Sequence, residues 1–591
     1  MKIRWCMFHL LFVSLILLGN PLQGQNLNDL NEELPDSIQT LPPMRDAAIQ
    51  ERLDLYESIT RNVNLFGTLY REVSMNYVDQ INPESFIRAG IDGMLSTLDP
   101  YTEFYDQEET DELKIMTQGK YGGIGIQIGL RGPERQLTII APIEGTPGWR
   151  LGLRPGDKII QIDGESTYGF TTSDAAKRMR GTPGDTVRIT IQRYGVDEPL
   201  EFAIKREIIN VNLISYSDMI EPGIGFLRLT RFDRSAGTQV REAIEGLKAK
   251  GLHALILDLR GNPGGLLPEA VSVAENLLPK GSLVVSTRGR VESSTKEFFT
   301  NRDPAIPPEI PLIVLTNQGS ASASEIVAGA VQDHDRGVIV GKQTFGKGLV
   351  QSVIDFNPPR RGSKDSGGSA LKITTAKYYT PSGRLIQKAD YFNENESIIG
   401  HTIEPEEVDS LYYTDGGRRV HAHGGIQPDF DIEVEELGKA TLEIWRQGKF
   451  FDFIGEYYGT HTDLTSYEIT DEIYHAFLDY LQETGFSFQT ETQLALARIR
   501  QQAEEQHFSA EFFKELEDLE KIAETERVAM LAHDESQIRE RLRLELASSV
   551  GGGAARVEAS FSFDSQVQRA LEILRESSTY YAALTPATLG E

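Results

Sequence analysis

The stretch NQGSASASEIVAGA, residues 317–330, places serines at three alternate positions, 320, 322 and 324. It follows the apolar run PLIVLT, which is typical of a strand, and it opens a helical pattern, SEIVAGAV. A serine at a strand-to-helix turn is exposed, and the N-terminus of the helix favours the negative charge that develops during nucleophilic attack. This position therefore predicts a nucleophilic serine, which needs a base to take its proton.

Two side chains near these serines are candidate bases. His334 is close in sequence, but it lies in VQDHDRG at a predicted helix end, where a histidine often only caps carbonyl groups. Lys347 lies between two glycines in VGKQTFGKGLVQSV, among residues that are otherwise mostly apolar or small. A lysine can act as the base when desolvation keeps it neutral near pH 7. We favour Lys347, and its alternative role is that of a solvent-exposed turn residue.

The whole segment GSASASEIVAGAVQDHDRGVIVGKQTFGKGLVQ resembles the C-terminal processing peptidases, the tail-specific serine proteases of the S41 type. The resemblance implies that Ser322 is the nucleophile and that Lys347 is the general base. It also implies that Gln351 orients the lysine amine, and an even spacing would place these last two residues on one face of a strand. It covers roughly residues 50 to 435 and implies no metal and no cofactor.

An oxyanion hole must supply N–H donors to the tetrahedral intermediate. If Ser322 is the nucleophile, the Ala323 N–H is one donor by its position. The resemblance implies a second donor in DLRGNPGG, residues 258–265, where a predicted strand ends in a glycine-rich turn. We choose Gly264 for this role, with Gly265 as the alternative.

A second resemblance concerns a β-rich module of under 100 residues. YGGIGIQI is a glycine-rich turn that leads into an alternating strand, and together with GTPGWRLGLRPGDKIIQIDG it resembles a PDZ domain. Glycines allow consecutive backbone N–H groups to converge on an anion such as a terminal carboxylate. The resemblance implies capture of a polypeptide C-terminus in a groove walled by the helix around Ala175 to Met179. The residues it assigns to peptide binding are Gly122, Gly123, Ile124, Gly125 and, on a weaker match, Arg180.

Composition excludes several other functions. The chain has 591 residues, a net charge of -29 and a pI near 4.9, which argues against nucleic-acid binding because that requires a basic surface. Its only cysteine, Cys6, lies in the N-terminal apolar region, so the remaining chain has no disulfide and no thiol chemistry. His421 and His423 in HAHGG could form half of a metal site, but we see no clear further ligands and favour solvent-facing side chains.

The N-terminus has the three parts of a secretory signal. Lys2 and Arg4 precede the apolar run CMFHLLFVSLILLG, and NPLQGQ then offers a cleavage point near Gly24. The run is short for a bilayer span, so we expect cleavage and a periplasmic or otherwise exported protein. Membrane association is expected only if the signal remains uncleaved.

The pattern along the chain predicts a multidomain α/β protein. The regions in order are an N-terminal helical segment, a β-rich module, an α/β core and a helical C-terminal extension. The two resemblances imply that the β-rich module is a PDZ domain and that the core is a crotonase-like Ser/Lys protease. We expect the extension to serve packing or oligomerisation. The predicted boundaries are 1–24 for the signal peptide, 25–45 for a linker, 46–118 for the helical domain, 119–206 for PDZ, 207–435 for the protease core and 436–591 for the extension.

These features predict an exported serine endopeptidase that cleaves polypeptides recognised near their free C-termini. One alternative is a catalytically inactive PDZ-bearing periplasmic scaffold, and a second is an acyl-CoA enzyme, since the family core is distantly crotonase-like. The intact Ser322, Lys347 and Gln351 argue against the first, and the export signal and PDZ module argue against the second. The physiological substrate, an adaptor protein and a homo-oligomer are left open.

Overall fold

The computed structural model describes residues 44–132, 134–356, 368–388, 411–422, 424–461 and 464–586. The chain divides into two units, residues 1–90 and 91–591. The predicted signal peptide and His423 lie outside the described residues. Within the described ranges, none of the helices combines the length and the apolar character needed to cross a bilayer.

The first unit contains α1 (Met44–Asn76) and most of α2 (Pro83–Leu95). Its two helices contact each other through Tyr70, whose ring stacks on that of Phe86 at 5.6 Å between centroids. The Tyr70 hydroxyl also donates a hydrogen bond of 2.9 Å to the Pro83 carbonyl oxygen at the start of α2. These contacts fix the angle at which the chain turns between the helices.

A short strand, β1 (Glu103–Tyr105), follows α2 and precedes α3 (Gln107–Gln118). The sequence predicted only helices over residues 46–118, because three residues are too few to show a strand period. Helix α3 begins with a reciprocal capping box between Asp106 and Glu109, and it ends at Gly119, whose φ of 66° favours glycine.

The module predicted as PDZ is an antiparallel sheet in the order β3-β4-β5-β7-β8, with β6 paired to β5 and a separate β2–β9 ribbon. Apolar side chains from alternate positions of its strands form its core together with Ala175 and Met179 of α5. The elements are β2 (Lys120–Gly123), β3 (Ile126–Arg131), β4 (Gln136–Pro142), α4 (Pro147–Arg150), β5 (Lys158–Ile162), β6 (Glu165–Ser166), α5 (Thr172–Met179), β7 (Thr186–Gln192), β8 (Leu200–Lys205) and β9 (Glu207–Asn210).

The next region contains a six-stranded sheet in the order β10-β11-β12-β15-β16-β21, in which only β10 runs antiparallel to its neighbour. Its central strands are entirely buried and one face packs on α6, α7 and α8. The elements are β10 (Ile214–Glu221), β11 (Ile224–Leu229), α6 (Ala236–Ala249), β12 (Ala254–Asp258), α7 (Leu267–Ala274), β13 (Leu283–Arg288), β14 (Lys296–Phe299), β15 (Leu312–Thr316), α8 (Ala323–Asp333) and β16 (Val338–Gly341).

A second sheet lies beside it in the order β1-β18-β13-β14, and β17 also pairs with β18. It joins β1 to β18, a strand that lies more than 260 residues later, since Glu103 is opposite Lys372. The remaining strands are β17 (Leu349–Asp355), β18 (Ala370–Tyr379), β19 (Leu411–Tyr413), β20 (Arg419–His421) and β21 (Phe430–Asp431).

The C-terminal region is helical, and part of it has its own apolar core around Phe453 and Phe477. Its last helices cover the second face of the six-stranded sheet. The predicted fold class is therefore confirmed, from N-terminal helices to C-terminal extension. These helices are α9 (Lys439–Arg446), α10 (Lys449–Thr460), α11 (Asp471–Glu483), α12 (Glu491–Glu505), α13 (Ala510–His533), α14 (Glu535–Ser560), α15 (Ser565–Arg575) and α16 (Ser577–Ala583).

Candidate active site

Ser322 occupies the turn between β15 and α8, and it is the N-cap residue of that helix. Its backbone has φ 53° and ψ -110°, a conformation that a residue with a side chain adopts only under strain. A strained strand-to-helix turn exposes the side-chain oxygen of a nucleophilic serine. The next amide, the Ala323 N–H, has no acceptor among the described residues, so it remains able to bind an oxyanion.

The three alternate serines have different environments. Ser320 is buried and its hydroxyl donates to the Leu259 carbonyl oxygen at 2.8 Å. Ser324 is also buried, and its hydroxyl donates to the Asn262 carbonyl oxygen at 2.9 Å. Ser322 is half-buried, and its Oγ makes no such bond to the 258–265 turn. Two of the serines therefore hold that turn in place, and the hydroxyl of Ser322 is not used for this purpose.

Glu325 connects the serine turn to the lysine loop, and the sequence analysis gave it no role. Its Oε2 accepts hydrogen bonds from the backbone N–H groups of Ser322 at 2.7 Å and Lys347 at 2.9 Å. Its Oε1 accepts from the Thr344 hydroxyl and the Gly346 N–H, both at 2.6 Å. Burial raises the pKa of Glu325 to about 7 although these four donors lower it. The sequence signal that could have identified Glu325 is its position three residues after the N-cap serine, which is the spacing of a capping box.

Lys347 is half-buried in a loop before β17, and its environment favours the neutral amine. Its Nζ lies 4.3 Å from the centroid of the Tyr101 ring. Burial is the main cause that lowers the pKa of Lys347, and the positive charge of Lys372 lowers it further. Glu103, Asp99 and Glu325 act in the opposite direction but do not outweigh these effects. The direction of the shift is the one that a lysine base requires.

The side chains of Ser322 and Lys347 are not joined by a hydrogen bond within the described structure, and neither are those of Lys347 and Gln351. Gln351 lies in β17, where its side-chain nitrogen donates to Thr374 Oγ1 at 3.3 Å. Lys347 precedes that strand, and the pairing with β18 shifts register between Val350 and Gln351. Even spacing therefore does not align Lys347 and Gln351 on one strand face. Catalytic hydrogen bonds are often long before substrate binds.

The 258–265 turn packs directly against Ser322. A side chain at Gly264 would place its first carbon 2.6 Å from the Ala321 carbonyl oxygen and 2.9 Å from Ser322 Cβ, so only glycine fits. The Gly264 N–H, chosen from the sequence as an oxyanion donor, instead donates to the Asn262 side chain at 2.9 Å. The neighbouring Gly265 is exposed, and its N–H has no acceptor among the described residues.

Sequence analysis missed the segment DPYTEFY, residues 99–105, which brings Tyr101 to the lysine. Asp99 is buried and accepts hydrogen bonds from the N–H groups of Tyr101 and Thr102, both at 2.8 Å. Thr102 in turn accepts a hydrogen bond from the Thr374 N–H of β18 at 3.2 Å. The Asp-Pro pair was a turn signal, because an aspartate side chain commonly binds the backbone two residues later.

The histidine candidates lie away from this site. His334 follows the last residue of α8, roughly 18 Å along the helix axis from Ser322. Its ring nitrogens contact Asp415 and the Leu283 carbonyl oxygen, each at 2.7 Å, so it supports packing rather than catalysis. His421 is exposed in β20, and the described residues contain no group of three potential metal ligands.

Of the residues assigned to peptide binding, all except Gly122 line a cavity of about 360 Å³ between β3, the outer strand of the PDZ sheet, and α5. Arg180 lies at its rim, with its guanidinium 5.2 Å from the centroid of the Tyr121 ring. Gly122 and Gly123 belong to β2, where they pair with β9, so only Ile124 and Gly125 form the irregular turn into β3. Gly125 has a φ of 74° and lies against Thr146. An outer strand beside a groove can accept a peptide as an added strand.

Family models match three parts of the chain. The description "Peptidase family S41" matches residues 223–392 and "PDZ domain" matches residues 138–193. The description "Probable PDZ-protease, C-terminal helical domain" matches residues 440–574. The three matches follow the order of the regions described above.

Among similar proteins, the carboxy-terminal-processing protease of Bartonella bacilliformis is 40% identical over 326 residues, which cover 54% of this chain and 72% of that protein. The carboxyl-terminal-processing protease of Synechocystis is 39% identical over 302 residues, which cover 50% and 68%. A solved structure, the photosystem II D1 C-terminal processing protease, is 26% identical, covers 62% of this chain and 92% of that chain, and has a TM-score of 0.32. The chain therefore belongs to the carboxy-terminal-processing proteases, serine peptidases of family S41, and it carries their PDZ domain.

Proposed function

We propose that this protease hydrolyses peptide bonds through Ser322, with neutral Lys347 as its base. The observation that carries the proposal is the shared acceptor: one oxygen of Glu325 binds the backbone N–H groups of both residues. This contact holds the nucleophile turn and the lysine loop together without using either reactive side chain. The strained conformation of Ser322 and the lowered pKa of Lys347 support the same assignment.

In the first half of the reaction, Ser322 Oγ forms a bond to the carbonyl carbon of the substrate while Lys347 Nζ takes the hydroxyl proton. The carbonyl oxygen becomes an oxyanion, for which the Ala323 N–H is the first donor. Gly265 is the second donor in this proposal, because the Gly264 N–H is already bound to Asn262. The amine leaving group departs with the proton carried by Lys347, and water then hydrolyses the ester by the same steps.

Lys347 must leave its position over Tyr101 to reach Ser322 Oγ. A lysine side chain has four rotatable bonds, so it can turn without movement of the loop that Glu325 holds. Gln351 is proposed to receive the amine through its carbonyl oxygen, since its nitrogen donates to Thr374. The Tyr101 contact is therefore proposed as a resting position of the lysine.

The PDZ domain is proposed to select substrates by a free C-terminal carboxylate, which the turn at Ile124 and Gly125 would bind. The groove beside it is lined mainly by apolar side chains, which favours an apolar last residue. We expect C-terminal amidation of an unfolded reporter to lower kcat/KM about tenfold through KM, because charge-assisted hydrogen bonds are lost. Filling the groove with Ala176→Trp should have a similar effect, whereas Tyr168→Ala, on an exposed PDZ surface, should not. Equal rates for free and amidated reporters would contradict this role.

We also propose that the protein is exported, on the basis of the charged, apolar and polar segments of residues 1–24. N-terminal sequencing of the protein recovered outside the cytoplasm should then begin near Gln25. Protein that retains residues 1–24 would point to an anchored form instead.

An unfolded reporter tests the reaction itself. Wild-type protein should cleave it, and Ser322→Ala should not, because the hydroxyls of the neighbouring Ser320 and Ser324 are bound to carbonyl oxygens of the 258–265 turn. A scaffold without catalytic activity would leave the reporter intact with both proteins while still binding its C-terminus.

A further inference from the structure

The C-terminal helices pack on the same six-stranded sheet from which the Ser322 turn and the 258–265 turn extend. Residues of its central strands alternate between two faces, so that Leu255 and Leu257 face α6–α8 while Ile256 faces the other way. That second face is covered by side chains from α14, α15 and α16, including Val567 and Leu571. The C-terminal helices are therefore part of the layer structure of the protease, and their contacts can influence its loops.

One contact joins the start of α15 to the 258–265 turn. Arg260 in that turn binds Asp258 in a bidentate ion pair, with two N···O distances of 2.9 Å. Its remaining nitrogen, Nη1, donates to Asp564 Oδ1 at 2.8 Å and to Gln566 Oε1 at 3.0 Å. The Arg260 side chain is only 13% exposed and that of Asp564 is 18% exposed. A buried guanidinium whose partner is removed carries a desolvation cost, so its position depends on both carboxylates.

The same turn is bonded to the residues around the nucleophile. The Gly261 N–H, directly after Arg260, donates to the Asn317 side chain at 2.9 Å. The Asn262 carbonyl oxygen accepts from the Ala321 N–H at 3.0 Å and from the Ser324 hydroxyl at 2.9 Å. A shift of Arg260 would therefore reach the amides that face Ser322 through a short chain of hydrogen bonds.

We propose that Asp564 and Gln566 are positioning residues, which hold Arg260 so that the 258–265 turn presents its amide to the oxyanion formed at Ser322. This inference rests on the proposed Ser322 reaction, and it assigns to the C-terminal region a role beyond packing. The two residues act through Arg260 and contact no substrate.

Asp564→Ser tests this role with little change to the helix. Serine is as good an N-cap as aspartate, so α15 keeps its cap, but the shorter neutral side chain cannot hold Arg260. We expect kcat to fall about tenfold with KM unchanged, because a small displacement of a donor weakens only the transition state. Asp564→Glu, which restores the charge, should recover most of the lost kcat.

Tyr580→Phe is the matched control. The Tyr580 hydroxyl also joins the C-terminal region to the sheet, through hydrogen bonds with the Leu312 N–H at 2.9 Å and the Leu312 carbonyl oxygen at 3.3 Å. Leu312 begins β15, at the end opposite the Ser322 turn. The variant should lower thermal stability at least as much as Asp564→Ser while kcat stays within twofold of the wild type.

Hydrogen exchange of the amides of residues 259–265 gives a readout that needs no activity. Exchange should be faster in Asp564→Ser and unchanged in Tyr580→Phe. Unchanged exchange and a kcat within twofold of the wild type for Asp564→Ser would overturn the inference, as would equal losses of kcat in both variants. Cleavage that persists in Ser322→Ala would overturn the proposed reaction instead, while faster exchange in Asp564→Ser would still support the coupling.

Discussion

Replacement of Lys347 by alanine should lower kcat/KM about 10³-fold, because a positioned general base contributes this order of rate. The matched control is Lys342→Ala. Lys342 is five residues earlier and pairs with Asp431 and Glu433 at the surface, so its loss should leave the rate within twofold of the wild type. A variant at Lys347 that keeps wild-type activity would remove this residue from the mechanism.

The pH dependence of kcat/KM is a more specific test of Lys347 as the base than the Lys347→Ala variant. Only the neutral amine accepts the proton of Ser322, so kcat/KM should rise with pH along one limb that reports the pKa of Lys347. Burial and then the charge of Lys372 lower that pKa, and Glu103, Asp99 and Glu325 oppose them. Lys372→Met removes a positive charge, so the limb should move to higher pH. A limb that stays in place or moves to lower pH would contradict the assignment.

After Lys347→Ala, we expect the next largest effect from Glu325→Gln. This variant should lower kcat about 100-fold and the free energy of unfolding by about 2 kcal/mol. The carboxylate accepts four hydrogen bonds with two oxygens, including three from backbone N–H groups. Glutamine has one acceptor oxygen, and its NH₂ group would face two of those donors. The matched control is Glu269→Gln in α7, since burial also raises the pKa of Glu269 but it accepts one bond, from the Gly237 N–H.

The same residue gives a pH dependence of stability. The pKa of Glu325 in the folded protein is about 7 and its ordinary value is 4.5. The folded state therefore holds the proton more tightly, and the stability this contributes is full below pH 4.5 and is lost as pH rises towards 7. Chemical unfolding of the wild type and Glu325→Gln at several pH values should show this decline only in the wild type. Identical slopes for both proteins would contradict the assignment.

The serine turn and the PDZ module could be predicted because each depends on local sequence. An apolar strand, a turn and a helix occur within about twenty residues around Ser322, and the glycine-rich turn directly precedes its strand. The family resemblance then singled out Ser322 as the expected nucleophile, and the environments of the three serines differ in the structure. Both neighbours use their hydroxyl groups to hold the 258–265 turn.

The remaining parts of the site depend on contacts between distant residues. Strand β1 pairs with β18 across 269 residues at the Lys372–Glu103 ion pair, and Arg260 reaches Asp564 across 304 residues. A three-residue strand has no detectable period, and an arginine in a turn does not indicate its partner. The choice of Gly264 as a donor depended on which amide the Asn262 side chain would occupy, a detail that only coordinates resolve.

The most direct test of the proposed reaction is to identify which residue is required for cleavage and which residue a serine-reactive reagent modifies. Wild-type protein and the Ser322→Ala and Lys347→Ala variants would be incubated with an unfolded reporter that ends in a free apolar residue, and separately with a phosphonate that reacts with nucleophilic serines. We predict that only the wild type cleaves the reporter at an appreciable rate, and that peptide mass spectrometry places the adduct on Ser322. Cleavage by Ser322→Ala at the wild-type rate, or an adduct on another residue, would contradict it.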